Sequence, residues 1–212
     1  MRFAKALLCG AAMTILAAGT AWAEGHAEWG KDGSLVMKLG PEYDNTVITL
    51  PKDMVGSEFG PGKKPFEGVT INVTVNGAGP NGGISGPLYS FRPIWEEISG
   101  GKVNIVEVPF AEHYTKIMLD LRNGTGQYDA FMVGAFWYGD IVPAGYAYQV
   151  DDLMKSGKYP QWSYDEMWPS QVTKLYQWEG KGYGIRNDSD GQVLYYRKSV
   201  LDNSQYKTDF KK

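Results

Sequence analysis

The clearest pattern in this chain is an alternation of apolar and polar residues over residues 69–75, where valine and isoleucine are separated by threonine and asparagine. A period of two is typical of a β-strand with one packed face. Residues 103–108 (VNIVEV) and 128–133 (YDAFMV) are short and rich in apolar residues, and they predict a second and a third strand. The globular part of the chain therefore begins at Val69.

The two segments between these strands have the spacing of amphipathic helices. The first carries four large apolar residues on one helical face: Leu88, Phe91, Trp95 and Ile98. Pro93 fits this helix only if the regular turns begin near Ser90, which places the proline in the first turn. The second helix has its own apolar face: Tyr114, Ile117, Met118 and Leu121. Gly124 ends it.

Strands that alternate with helices predict an α/β fold with a parallel sheet. Ligands of such sheets bind beyond the carboxyl ends of the strands. Four candidate ligand-binding residues fall at those ends: Asn76, Gly77, Trp137 and Asp140. An aromatic ring on a sugar face and a carboxylate that accepts hydroxyl bonds suit a neutral polyol. The alternative for Trp137 is an ordinary place in the core.

The segment before the first strand is polar and interrupted by glycine and proline. Residues 24–66 are therefore expected to form an extended N-terminal segment, a wrap or a linker, with at most short strands around 34–39 and 46–50.

The N-terminus has the features of a cleaved secretory signal peptide. Arg2 and Lys5 precede an apolar run over 6–18, and Ala21-Trp22-Ala23 predicts cleavage after Ala23. The run is short for a transmembrane helix and no second long apolar run follows, so we expect no membrane span in the mature chain. Cys9 lies within the signal, and a lipid anchor there is the less favoured alternative.

Net charge argues about the binding partners of the mature chain, and cysteine content argues about its stability. Removal of residues 1–23 takes away two of the 21 basic residues and no acidic ones, leaving 19 against 24, a net charge of −5. Nucleic acid is a poor partner for that balance. Without Cys9 the mature chain has no cysteine, so its stability has to come from its core.

Residues 179–198 (EGKGYGIRNDSDGQVLYYRK) combine a turn, a polar crossing and an aromatic strand. The first four residues lie between two aromatic-rich runs and predict a hairpin. The polar crossing consists of Arg186, Asn187, Asp188, Ser189 and Asp190. Burying such a segment is costly without a polar partner, so it predicts either a ligand contact or a solvated loop.

This crossing resembles the first lobe-to-lobe crossing of bacterial extracellular solute-binding proteins, the sugar-binding components of ABC importers. Other pieces resemble the family in the same order: Trp95-Glu96-Glu97-Ile98 before Gly101, the run VNIVEVP, and the run NGTGQYD at 123–129. The resemblance covers residues 66–201.

The resemblance implies a periplasmic-binding-protein-like (type II) lobe and a periplasmic location. After the signal peptide 1–23 and the N-terminal segment 24–66, it implies a partial first lobe 67–186 and the hinge crossing with the start of a second lobe 187–212. It thus implies a truncated chain that lacks most of the second lobe. It also implies a sugar or oligosaccharide ligand, an ABC permease as partner, no cofactor, and a monomer when complete.

The resemblance also assigns residues. Asp190 aligns with the acidic ligand contact of the family, with Asp188 and Arg186 in support. Trp137 and Asp140 fall where the family places an aromatic and a polar residue in the cleft.

The sequence also has features that bear on dinucleotide binding, metal binding and enzymatic activity. Residues 77–82 match the dinucleotide-binding spacing G-x-G-x-x-G, with Glu107 near the position of a ribose-binding acid, but Pro80 removes an amide and the signal peptide exports the chain. A flexible loop is preferred. His26 and His113 do not have metal-ligand spacing, so we predict a binding protein without a metal. A secreted carbohydrate-active enzyme or a glycan-adhesion module remains the alternative.

Overall fold

The computed structural model describes residues 25–160, 167–187 and 195–205. The predicted signal peptide lies outside these ranges, and so do Asp188, Ser189 and Asp190 of the predicted crossing. Within them, no helix is long and apolar enough to cross a membrane.

The N-terminal segment folds into an antiparallel sheet of three strands in sequence order: β1 (His26–Trp29), β2 (Leu35–Lys38) and β3 (Val47–Leu50). The two predicted short strands are confirmed as β2 and β3, whereas β1 was not predicted. Leu35 is 1% exposed and Met37 is buried, so β2 turns one face to the core. A short helix, α1 (Lys52–Val55), follows.

A second sheet is parallel and has the order β5-β4-β6: β4 (Thr70–Asn76), β5 (Lys102–Val108) and β6 (Ala130–Phe131). The predicted α/β fold with a parallel sheet is therefore confirmed. The third strand is shorter than predicted. The amide of Tyr128 donates to the carboxylate of Asp120, which directs the chain toward the preceding helix before it reaches the sheet.

The first long helix, α2 (Gly86–Ser99), starts four residues before the predicted start at Ser90, so Pro93 lies in its interior. That prediction was wrong because the start is fixed by the preceding loop. The hydroxyl of Ser85 donates to the carbonyl of Gly79 and accepts from the amide of Ala78. Pro87 takes a first-turn position, where a missing N–H costs little. Pro93 then leaves the carbonyl of Tyr89 without its helical partner.

Helix α2 has two apolar faces. Ser90, Ile94 and Ile98 are buried at four-residue spacing, and both isoleucines belong to the core cluster with the N-terminal sheet. The predicted face was only partly correct, because Leu88, Phe91 and Trp95 turn to the parallel sheet and line a groove of about 410 Å³ there. The N-terminal sheet is thus a packed layer on α2.

The chain enters this layer immediately before β1. Gly25 is buried, and a Cβ at this position would lie 2.6 Å from the carbonyl oxygen of Ser90 on α2. The amide of Ala27 donates to Oε2 of Glu97 over 2.9 Å. The residues around the start of β1 therefore lie directly against α2.

The second long helix, α3 (Phe110–Asn123), confirms the prediction of a helix closed by Gly124, which has a left-handed φ of 62° and donates its N–H to the carbonyl of Asp120. Ile117 and Met118 are buried. Asp120 is also buried and accepts hydrogen bonds from Thr125 and from the amides of Gln127 and Tyr128. Its carboxylate fixes the path from α3 to β6.

The remaining described elements are short: α4 (Tyr138–Ile141), α5 (Asp151–Lys155), α6 (Pro169–Gln171), a π-helical turn (Val172–Tyr176), β7 (Gln177–Trp178), β8 (Lys181–Gly182) and α7 (Lys198–Leu201). The predicted hairpin is confirmed as β7-β8. Glu179 and Gly180 form its two-residue turn with φ values of 50° and 76°, as a type I′ turn requires.

Candidate functional site

The carboxyl edge of the parallel sheet carries a cluster of aromatic rings around Trp137. The first turn of α3 follows β5 directly and presents Phe110, His113 and Tyr114, which share one helical face because of their i, i+3, i+4 spacing. Their ring centroids lie 6.2, 5.9 and 5.3 Å from that of Trp137. The ring of Phe136 lies edge-on at 5.4 Å. Trp137 is half-buried: it is more exposed than a core residue and less exposed than a ring on the open surface.

Asp140 joins this cluster through Tyr114. The phenolic hydroxyl of Tyr114 donates to Oδ2 of Asp140 over 2.8 Å. This hydrogen bond to the carboxylate raises the pKa of the Tyr114 hydroxyl, with burial acting in the same direction. Asp140 is exposed, and its Oδ1 accepts no hydrogen bond from the described residues. The predicted pair Trp137 and Asp140 is therefore brought together, and one carboxylate oxygen is available to a polar ligand.

His113 lies behind the aromatic cluster. It is 0% exposed, and its Nε2 is 3.2 Å from the hydroxyl oxygen of Thr74, which is also fully buried on β4. Burial lowers the pKa of the imidazole. The ring is thus held as the neutral form between the sheet and Trp137.

Asn76 and Gly77 lie at the carboxyl end of β4, as predicted. Asn76 pairs with Val108 at the end of β5, and the amide of Gly77 donates to the Val108 carbonyl over 3.3 Å. A Cβ on Gly77 would lie 2.5 Å from the Cβ of Glu107, so only glycine permits this approach. The backbone at this position is therefore fixed against β5.

Glu107 organises the glycine loop that follows. Its Oε1 accepts from the amide of Gly79 over 2.9 Å and from the hydroxyl of Tyr89 over 2.8 Å. Burial is the main cause that raises the pKa of the Tyr89 hydroxyl, and the Glu107 carboxylate acts in the same direction. The third glycine of the G-x-G-x-x-G spacing is Gly82, but α2 begins only at Gly86. The geometry of a dinucleotide-binding turn, with the helix opening at the third glycine, is therefore absent from this described loop.

The crossing begins beside this loop. Asn187 donates from Nδ2 to the carbonyl of Ile84 over 3.0 Å, so the segment reaches the loop after β4. Arg186 lines the groove between α2 and the parallel sheet. The structure thus places Arg186 on the α2 side, and it leaves the ligand contacts predicted for Asp188 and Asp190 as predictions because both lie outside the described residues.

Several residues of this edge were not predicted as functional. Phe110, His113, Tyr114 and Phe136 support Trp137, and Glu107 shapes the loop. The ring spacing in the first turn after β5 was the available signal, but the same spacing also predicts core packing. No group of three or more His, Cys, Asp or Glu side chains among the described residues is arranged to hold a metal ion.

Comparison with known proteins assigns the chain to a protein family. The family model for "Bacterial extracellular solute-binding protein" matches residues 85–212, more than half of this 212-residue chain. An erythritol/L-threitol-binding protein of Mycolicibacterium smegmatis is 32% identical over 79 residues. That match covers 36% of this chain and 17% of the relative, so the chain spans a small part of the relative's length.

A solved structure is also similar. It is an ABC transporter solute-binding protein from Agrobacterium radiobacter K84 in complex with ribitol, with a TM-score of 0.47 and 20% identity. The similarity covers 56% of this chain and 29% of that chain.

Proposed function

The chain belongs to the bacterial extracellular solute-binding protein family, and from this premise we propose that it binds a small sugar alcohol outside the cytoplasm and delivers it to the permease of an ABC importer. The observation that carries the proposal is that Trp137 and Asp140 both contact Tyr114 at the carboxyl edge of the parallel sheet. This edge is where open α/β sheets bind their ligands.

The chemistry of the pair suits a neutral polyol. The half-buried ring of Trp137 offers an apolar surface to the carbon chain, and Oδ1 of Asp140 accepts hydroxyl hydrogen bonds. Asn76 adds an amide at the neighbouring strand end. We propose that three residues of the crossing also contact the ligand: Asp190, Asp188 and Arg186.

The relative supports a small ligand. A protein that is 32% identical over 79 residues is described as binding erythritol and L-threitol, which are four-carbon sugar alcohols. We therefore propose a short linear polyol ahead of the broader class of sugars and oligosaccharides. The protein then acts by binding and release without turnover, and residues 1–23 direct its export.

Calorimetry tests this proposal on the native protein, purified from the periplasmic fraction with the ends that its cell gives it. Erythritol, L-threitol, ribitol, glucose and maltose are titrated in turn. We expect a saturable heat with at least one four-carbon polyol and recovery of the ligand unchanged. Absence of binding to every polyol and sugar, or conversion of the ligand, would overturn the proposed function.

A further inference from the structure

One buried ring nitrogen of His113 stands out from the other polar atoms of the described core. Nδ1 of this fully buried ring has no hydrogen-bond partner among the described residues, while Nε2 contacts the Thr74 hydroxyl. A buried polar atom without a partner loses its hydrogen bond to water and gains none in return, so a position that keeps one calls for an explanation. The ring meets Trp137 edge-on, with an interplanar angle of 85°.

From this geometry we propose that His113 is a positioning residue of the polyol site: its uncharged ring seats Trp137 for the ligand, and protonation of the ring releases Trp137. The inference rests on the proposed function for its ligand, but the coupling between the two rings belongs to the protein alone.

The charged ring fits its surroundings less well than the neutral ring. A neutral imidazole has one donor and one acceptor nitrogen, so the contact with Thr74 satisfies Nε2 in either direction. A protonated ring donates from both nitrogens, which puts a buried N–H and a positive charge at Nδ1 with no acceptor. The ring then gains by moving toward water. The ring of Trp137 packs on the imidazole at a centroid distance of 5.9 Å, so a shift of the imidazole changes the packing of Trp137.

The charged groups around the ring do not compensate for this charge. Strand β4 has no ionisable side chain. On β5, Glu107 is engaged by Gly79 and Tyr89. Beyond β6, Asp140 is bonded to Tyr114.

The helix that carries His113 offers no counter-charge either. On α3, Glu112 pairs with Lys116 over 2.9 Å, Asp120 is held by the loop after the helix, and Arg122 is itself positive. Burial alone lowers the pKa of His113. Protonation therefore disrupts the seat of Trp137 without gaining an ion pair.

The test is a pH titration of the ligand-free native protein followed by NMR. The imidazole signals of His113 and the indole N–H signal of Trp137 are recorded from pH 8 to pH 4, and a Trp137→Phe variant identifies the indole signal. We expect the Trp137 signal to shift with the same midpoint as His113. In a His113→Gln variant, which keeps a partner for Thr74 and does not titrate, we expect the indole signal to stay constant.

His26→Gln is the matched control, because His26 is the other histidine of the chain and its side chain is 54% exposed. It should leave the Trp137 profile unchanged. Affinity for erythritol should fall about tenfold per pH unit below the midpoint in the native protein and stay flat in His113→Gln, as one linked proton requires.

Three results would overturn the inference: a Trp137 signal that ignores the titration of His113, a His113 that does not titrate before the protein unfolds, or an indole shift that persists in His113→Gln. The titration of the unsubstituted protein decides the question even if that variant does not fold. Absence of erythritol binding with the ring coupling intact would count against the proposed function and leave this inference standing.

Discussion

Tyr114 on α3 and Asp140 on α4 are joined by a 2.8 Å hydrogen bond between a phenolic hydroxyl and a carboxylate oxygen. The bond links the helix that follows β5 to the segment that follows β6. Because the ring of Tyr114 also contacts Trp137, one side chain orients both members of the predicted ligand-binding pair.

Substitution of Asp140 by alanine should weaken polyol binding, because it removes an ionised acceptor of ligand hydroxyls. A hydrogen bond to a charged group contributes about 1.5–3 kcal/mol, which corresponds to a loss of about tenfold to a hundredfold in affinity. Tyr114→Phe should cause a smaller loss, since it only removes the orienting bond. Calorimetry with erythritol measures both. Tyr148→Phe, at a tyrosine that is 71% exposed, is the control. Unchanged affinity in the Asp140 variant would show that this carboxylate does not contact the ligand.

Gly77→Ala should destabilise the protein, because its new Cβ would lie 2.5 Å from the Cβ of Glu107 and the loop would have to shift. Overpacking of this kind costs about 1–3 kcal/mol. Gly83→Ala is a matched control in the same loop, since a Cβ there meets nothing within 4 Å. Thermal unfolding of the two variants provides the comparison. Equal melting temperatures would mean that the contact with Glu107 relaxes without cost.

Because of Asp120, the free energy of unfolding should fall at acidic pH. Burial acts to raise its pKa, but the hydrogen bonds from Thr125 and the following amides outweigh it and hold the pKa below its usual value. A carboxyl group with a lowered folded-state pKa stabilises the protein above its unfolded value of about 3.9, and this contribution is lost as the pH falls through the folded pKa.

Asp120→Asn should therefore lose stability at pH 7 and show a weaker fall in stability between pH 5 and pH 3. Chemical denaturation at each pH measures the free energy of unfolding. Asp152→Asn, an exposed carboxyl position on α5, should follow the unsubstituted protein. Parallel pH profiles for the Asp120 variant and the unsubstituted protein would contradict the assignment.

Cleavage after Ala23 should leave Glu24 as the first residue of the exported protein, because the basic start and apolar run end in Ala21-Trp22-Ala23. Intact-mass measurement on the periplasmic fraction checks the site. A mature chain that retains Cys9, or that carries a lipid on it, would contradict the prediction.

The local pattern of apolar and polar residues was sufficient to predict most of the parallel sheet. The alternation in 69–75 and the apolar run ending at Val108 correspond to β4 and β5, and Gly124 ends α3 as predicted. The position of Trp137 and Asp140 followed from the topology, because carboxyl ends of parallel strands share one edge.

The remainder depends on contacts that are distant in sequence. The start of α2 is set by Ser85 bonding back to Gly79, whereas Pro93 alone argued for a later start. Strand β1 exists because β2 pairs with it and Glu97 accepts the amide of Ala27, 70 residues away. Phe110, His113 and Tyr114 have a spacing that fits a core face equally well, so only their packing on Trp137 identifies them.

The close approach of Gly25 to Ser90 bears on the predicted cleavage of the signal peptide. If cleavage falls after Ala23 as predicted, one residue separates the cut bond from a buried glycine. Proteolysis takes place in exposed, flexible chain, whereas Gly25 lies buried against α2. Under that prediction, we expect cleavage to precede the docking of β1 on α2.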